Sequence, residues 1–177
     1  MVLRQPRARS HYMPPLLDDV ERVASAKFLG VIFQDNFKMD LYVNSILSQC
    51  NQRFYLLKLL RYQGTSAVQL EQIVQAIIVS RIRYALPAWS GFLTVELMNK
   101  LQSTLKRLYR FGYTAQIISF NDIAESCSRD LFHSITKSGH CLHELLSYYA
   151  ERPDSLRPRG HDFVLPVCSK KLHKQFF

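Results

Sequence analysis

The chain has 177 residues, room for one domain or one domain with a tail, and its 47% hydrophobic and 21% charged residues exclude a disordered or collagen-like polymer. A formal charge of +9, from 23 basic against 14 acidic groups, suits a polyanionic partner, although net charge speaks to solubility and loose binding rather than to fold. The longest nearly uncharged apolar run, residues 73–80, is far short of the roughly 20 needed to cross a bilayer, and the first residues have no apolar core ahead of their charges. The expectation is therefore an intracellular protein, cytoplasmic or nuclear, not secreted and with no membrane partner.

Pro6, Pro14 and Pro15 prevent a continuous helix at the start. Lys27-Phe-Leu-Gly-Val-Ile-Phe33 is short, aromatic and β-branched, and reads as a strand broken by Gly30; Asp35-Asn36 then supplies a turn. After Asp40 the apolar residues Val43, Ile46, Leu47, Cys50, Phe54, Leu57 and Leu60 recur every three or four positions, which predicts a long amphipathic helix stopped at Gly64. Its far side, Asn44, Ser48, Asn51 and Tyr55, is polar but uncharged. Ser66-Ala-Val-Gln69 has the spacing of a capping box, and the stripe Leu70, Ile73, Val74, Ile77, Ile78 and Ile82 predicts a second helix. Pro87 is expected to end it, with Pro87-Ala-Trp-Ser-Gly91 as a loop.

Thr94 caps a third predicted helix with Leu97, Met98, Leu101, Leu105 and Leu108 on one face. Lys100, Ser103, Arg107 and Arg110 fall on nearly the opposite face, the clearest basic stripe in the sequence, and Gly112 closes the helix. Shorter helices are expected over 121–126, 128–138 and 142–150, then a breaker-rich linker over 152–160. The predicted fold class is thus mainly α: a short β element within residues 1–37, a three-helix bundle over 38–112, short helices over 113–151 and a basic, loop-rich tail over 152–177.

The charge follows these divisions. Residues 1–27 hold five basic and three acidic groups, 28–112 ten and four, 113–151 two and five, and 152–177 six and two. A basic helical region and a basic tail flank a mildly acidic segment.

Catalytic chemistry has no evident seat. Asp18-Asp19 is the only adjacent aspartate pair, it follows Pro-Pro-Leu-Leu rather than an aromatic strand, and it reads as a loop turn rather than a two-cation site. Cys50, Cys127, Cys141 and Cys168 are widely spaced, without a Cys-x-x-Cys pair; His140-Cys-Leu-His143 with His161 or Cys168 matches no zinc spacing. No nucleophile elbow and no Gly-rich phosphate loop occurs. No cofactor and no metal are expected.

The segment Ala26-Lys-Phe-Leu-Gly-Val-Ile-Phe-Gln-Asp-Asn-Phe-Lys-Met-Asp40, followed by Ile46-Leu-Ser-Gln-Cys-Asn-Gln-Arg-Phe-Tyr-Leu-Leu-Lys-Leu-Leu-Arg61, resembles the downstream part of reverse transcriptases from LINE-type, non-LTR retrotransposons. The blocks Ala76-Ile-Ile-Val-Ser-Arg-Ile-Arg-Tyr-Ala-Leu-Pro-Ala-Trp-Ser-Gly-Phe92 and Leu105-Lys-Arg-Leu-Tyr-Arg-Phe-Gly112 carry the likeness on, and it extends to Arg157-Pro-Arg-Gly-His161 and Leu165-Pro166. The resemblance implies that residues 1–37 are the end of a palm with a primer-grip-like hairpin at Phe28, Leu29 and Gly30, and that 38–112 are a thumb-like bundle holding primer and template. The family's catalytic aspartates lie upstream of these blocks and have no counterpart here. The chain is therefore expected to be a fragment of an RNA-directed DNA polymerase from a transposable element, not an enzyme on its own. The first helix also resembles a short domain named after the N-terminus of an AlkB-type dioxygenase and transfer-RNA methyltransferase, without the metal ligands or cofactor loops of either activity.

The thumb likeness implies phosphate contacts from Lys100, Lys106, Arg107 and Arg110, with RNA-DNA hybrid or duplex as the partner. Arg81 is a further candidate nucleic-acid contact, although its place beside an apolar stripe means that it must snorkel, pair with an acid or reach a ligand, and a structural partner suits it better. Arg53, Lys58 and Arg61 flank the core face of the first helix, and Trp89, Phe92 and Tyr84 suit core packing better than base stacking. The alternative is a catalytically inert helical interaction module that self-associates through an exposed palm-facing apolar surface.

Overall fold

The computed structural model describes residues 1–3, 13–16, 18–146 and 163. They are mainly helical, with a two-stranded antiparallel sheet near the N-terminus. The linker over 152–160, the basic tail, residues 147–150 of the last expected helix, Pro6, His161 and Cys168 lie outside the described residues. The chain divides into two compact units, Met1–Ala124 and Glu125–Phe177.

The segment read from its residues as one strand is a hairpin. Strand β1 (Ser25–Phe28) pairs with β2 (Val31–Gln34), Ser25 opposite Gln34 and Phe28 opposite Val31. Leu29 and Gly30 form the two-residue turn with φ of 45° and 86°, both positive as a type I′ hairpin turn requires. Gly30 marks a reversal rather than a weak point in a strand. The Asp35-Asn36 turn is present, fixed by the Asn36 side-chain oxygen accepting from the Lys38 amide at 2.9 Å.

Helix α1 (Asp40–Tyr62) buries Val43, Ile46, Cys50, Phe54 and Leu57, the stripe expected from its periodicity. Gly64 stops it with φ 87°; the Gly64 and Thr65 amides donate to the Arg61 and Leu60 carbonyls at 3.1 Å, a Schellman pair. The capping box forms as expected: Ser66 accepts from the Gln69 amide, and Gln69 Oε1 accepts from the Ser66 amide at 3.1 Å.

The helix that starts there differs in its middle. Helix α2 (Ala67–Val74) passes into a π-helical turn (Gln75–Val79) and then α3 (Ser80–Arg83). Leu70, Val74, Ile78 and Ile82 are buried at a strict four-residue spacing, whereas Ile73 and Ile77 are half-buried. A regular α-helix would rotate such a row about 40° per step away from the core, and the wider π turn restores it. The Arg53 guanidinium, from α1, donates to the Ile77 carbonyl inside that turn.

Pro87 does not end this helix. The chain leaves helical geometry at Tyr84 (ψ 120°), turns left-handed at Ala85 (φ 48°), and re-enters a helical turn, α4 (Leu86–Trp89), with Pro87 in its first residues. Proline's missing N–H and fixed φ suit a helix start, so the residue expected as a terminator is an initiator, and the expected loop is helical through a 3₁₀ turn at Ser90–Phe92. Trp89 is fully buried, with Nε1 donating to the Tyr84 carbonyl at 3.0 Å and Tyr42 edge-on at 5.3 Å. Phe92 stacks on Phe37 at 5.1 Å. Both rings are packed, as their neighbours suggested.

Helix α5 (Val95–Arg110) begins at Thr94, whose hydroxyl accepts from the Leu97 amide at 3.3 Å, and ends in a second Schellman pair around Gly112. Leu97, Leu101, Leu105 and Leu108 are buried. Gln102 fixes the next segment, donating to the Ile118 carbonyl and accepting from the Phe120 amide at 2.7 Å. The helices expected over 121–126 and 128–138 are one, α6 (Phe120–Ile135): serine and Cys127 are weak helix formers, not breakers. The division between units falls within it. In the second unit Arg129 pairs with Glu125 at 2.6 Å, and Phe132 meets Phe163 edge-on at 6.0 Å.

Candidate nucleic-acid interface

Helices α1 and α5 lie side by side and parallel. Asn51 of α1 meets Arg107 of α5, Phe54 meets Phe111, and Arg61, at the end of α1, donates to the Phe111 carbonyl at the end of α5. With its leucines buried against the core, α5 turns Lys100, Ser103, Lys106 and Arg110 to solvent.

Arg107 departs from the free cation expected of a stripe member. Its guanidinium donates to Asn51 Oδ1 at 3.0 Å and lies 4.6 Å from the Phe54 ring centroid and 5.8 Å from that of Phe111. It is half-buried and clamps α1 to α5, leaving part of its charge at the mouth of a groove of about 410 Å³ lined by Asn51, Glu96, Asn99, Lys100, Ser103 and Arg107. Arg61 plays a parallel role over Tyr113, 4.7 Å from the ring centroid.

Lys100 is exposed but bridged to Glu96 at 2.7 Å, one helical turn earlier. The Lys100 hydrogen bond, then its charge, hold the Glu96 carboxyl below the usual carboxylate range. Glu96 thus offsets part of the basic face, and Lys106 and Arg110 are its exposed cations toward the C-terminal end.

Arg81 does not join this face. Its Nε donates to Gln49 Oε1 at 2.9 Å, and Gln49 stands about 160° around α1 from Asn51. Arg81 instead lies on the side of Tyr42 and Tyr84, whose hydroxyl donates to the Leu29 carbonyl at 2.7 Å. Phe28, Leu29 and Gly30 form the hairpin tip there, with Phe28 66% and Leu29 75% exposed, so the tip is an apolar projection tied back through Tyr84. The expected site residues therefore fall into two groups: Lys100, Lys106, Arg107 and Arg110 on α5, and Phe28, Leu29, Gly30 and Arg81 around the hairpin.

Two buried acids lie near the second group. Burial pushes the Tyr42 phenol up against the opposing pull of Arg81, and burial likewise pushes up the Cys50 thiol against Arg53 and Arg81. The folded chain holds these protons more tightly than the unfolded chain. Stability is therefore unaffected by them below the ordinary thiol pKa, then falls as pH rises past about 8.5 for Cys50 and about 10 for Tyr42. Thermal melts from neutral to strongly alkaline pH should show a progressive decline, and Cys50→Ala should remove its first part.

Among the described residues no three His, Cys, Asp or Glu side chains gather to hold a metal ion. His140 Nδ1 accepts from the Leu142 amide, and His143 Nδ1 lies 2.9 Å from the Ile135 carbonyl oxygen. Asp18-Asp19 forms a turn, with Asp19 at φ 64°. No helix among the described residues is long and apolar enough to cross a membrane. No protein-family model, no curated protein and no solved structure matches the chain.

Asn51, Lys58 and Tyr62 were not singled out for this surface from the sequence. Their signal is positional: each falls on the α1 line that borders α5, legible only once the helices are known to run parallel.

Proposed function

We propose that this chain is a nucleic-acid-binding fragment of a retrotransposon reverse transcriptase, a primer-grip-like hairpin with a thumb-like helical bundle, which grips primer-template duplex or RNA-DNA hybrid weakly and without base specificity. The observation that carries the reading is the division of α5 into a buried leucine face and a solvent face bearing Lys100, Lys106 and Arg110. Cations fixed along a rigid rod neutralise phosphates by charge and spacing, and nothing in such contacts distinguishes bases. The sequence blocks quoted above support the parent family, and catalysis would belong to a palm carrying the aspartates.

Titrating a labelled RNA-DNA hybrid at increasing salt tests it. Three phosphate contacts give a slope of log affinity against log salt near about −2.7. Affinity indifferent to salt would overturn the reading. A second reading, self-association, draws on the exposed Phe28 and Leu29 tip; sedimentation that depends on concentration, with no hybrid bound, would favour it.

A further inference from the structure

The solvent face of α1 carries more than the polar residues that begin it. At 3.6 residues per turn, Tyr55, Lys58 and Tyr62 fall within about 40° of the line through Asn51. Asn51 and Arg107 are the lining residues nearest the helix C-termini, so Tyr55, Lys58 and Tyr62 continue the α1 line beyond that end of the α1–α5 groove. Tyr55 is 67% and Tyr62 91% exposed. Two large exposed rings with Lys58 between them, beyond the arginine that ends the groove, present both chemistries that an unpaired strand offers partners to: π-faces for bases and charge for phosphates.

We infer that the exposed surface running on from the C-terminal end of the α1–α5 groove binds a single-stranded nucleic acid, with bases stacked on Tyr55 and Tyr62 and its phosphates along Lys58, Arg107 and Arg110. The two tyrosines are seven residues apart, about 10 Å along the helix, a span of three phosphate steps at roughly 3.4 Å in a stacked strand. A duplex keeps its bases paired and offers the rings nothing, so this surface distinguishes an unpaired segment from a paired one while remaining blind to sequence. This inference rests on the reading of α5 as a phosphate-binding face, and specifies which form of nucleic acid the adjoining surface takes.

The test measures the full chain against an oligothymidylate and a blunt duplex of equal length. Tyr55→Ala with Tyr62→Ala should weaken single-strand binding roughly tenfold or more per ring and leave duplex binding unchanged. Tyr55→Phe with Tyr62→Phe should keep single-strand affinity, because stacking needs the ring and not the hydroxyl. Trp89 is fully buried, so a Tyr62→Trp variant adds an exposed fluorophore whose emission should be quenched by oligothymidylate and not by duplex. Single-strand affinity unchanged by the double alanine variant, or no quenching at position 62, overturns this assignment while salt-sensitive duplex binding leaves the α5 reading standing. Failure to bind either probe overturns both.

Discussion

Trp89→Ala is expected to destabilise the first unit by about 3–5 kcal/mol, read as a fall of about 10 °C or more in its melting midpoint. The loss has two sources. The fully buried ring fills the corner between α4 and α1 and meets Tyr42 edge-on, so its removal leaves a large cavity in a part of the core that cannot collapse without moving α1. The indole N–H also satisfies the Tyr84 carbonyl where the chain leaves α3, and that carbonyl would then be orphaned beside a left-handed Ala85. Trp89→Phe separates the two: it keeps most of the packing, loses the donor, and should cost about 1–3 kcal/mol. Equal effects from both substitutions would mean that the hydrogen bond, not the ring, holds the corner.

That corner also shows where sequence reading succeeds and where it stops. Side-chain periodicity placed α1 and α5 because each buries one stripe against a core that any amphipathic helix would seek, and the end signals Gly64, Ser66, Thr94 and Gly112 act through bonds within a few residues of themselves. Pro87 is ambiguous in the sequence because its local rule is symmetric between ending one helix and starting the next; the helical turn over 86–89 comes with the burial of Trp89 against Tyr42, a contact 47 residues away that no local pattern encodes. The π turn was hidden for a similar reason. An i, i+4 row of Leu70, Val74, Ile78 and Ile82 looks like an ordinary helix until its drift against the core is counted over the whole segment.

The candidate site was legible to a lesser degree. The solvent-facing positions of Lys100, Lys106 and Arg110 follow from the leucine stripe opposite them, but the engagement of Arg107 does not. Its partners Asn51 and Phe54 lie 56 and 53 residues earlier in the chain, on a helix whose parallel alignment no local pattern encodes. Arg81 shows the same limit from the other side: its place beside an apolar stripe was visible, while its pairing with Gln49, away from the α5 face, depends on which flank of α1 the second helical stretch occupies.

The engagement of Arg107 decides how the basic face should be perturbed. Replacing it removes a clamp between α1 and α5 along with a charge, so a loss of binding would be ambiguous. Lys106 and Arg110 are exposed, and the pair that holds Lys100 to Glu96 is solvent-exposed and worth little to stability. The combined variant Lys100→Glu, Lys106→Glu, Arg110→Glu should therefore fold with a melting point close to the parent's and lose hybrid affinity by roughly a hundredfold or more at low salt, its salt slope flattening by about 2.7. Glu96→Gln should act in the opposite direction. It releases Lys100 from its intrahelical partner and removes a negative charge from the edge of the groove, so affinity should rise by a few-fold and the slope steepen. A paired outcome of this kind, a loss from reversal and a gain from neutralising one acid on the same helix, cannot come from a folding defect. Hybrid affinity that responds to neither change would remove α5 as the binding face.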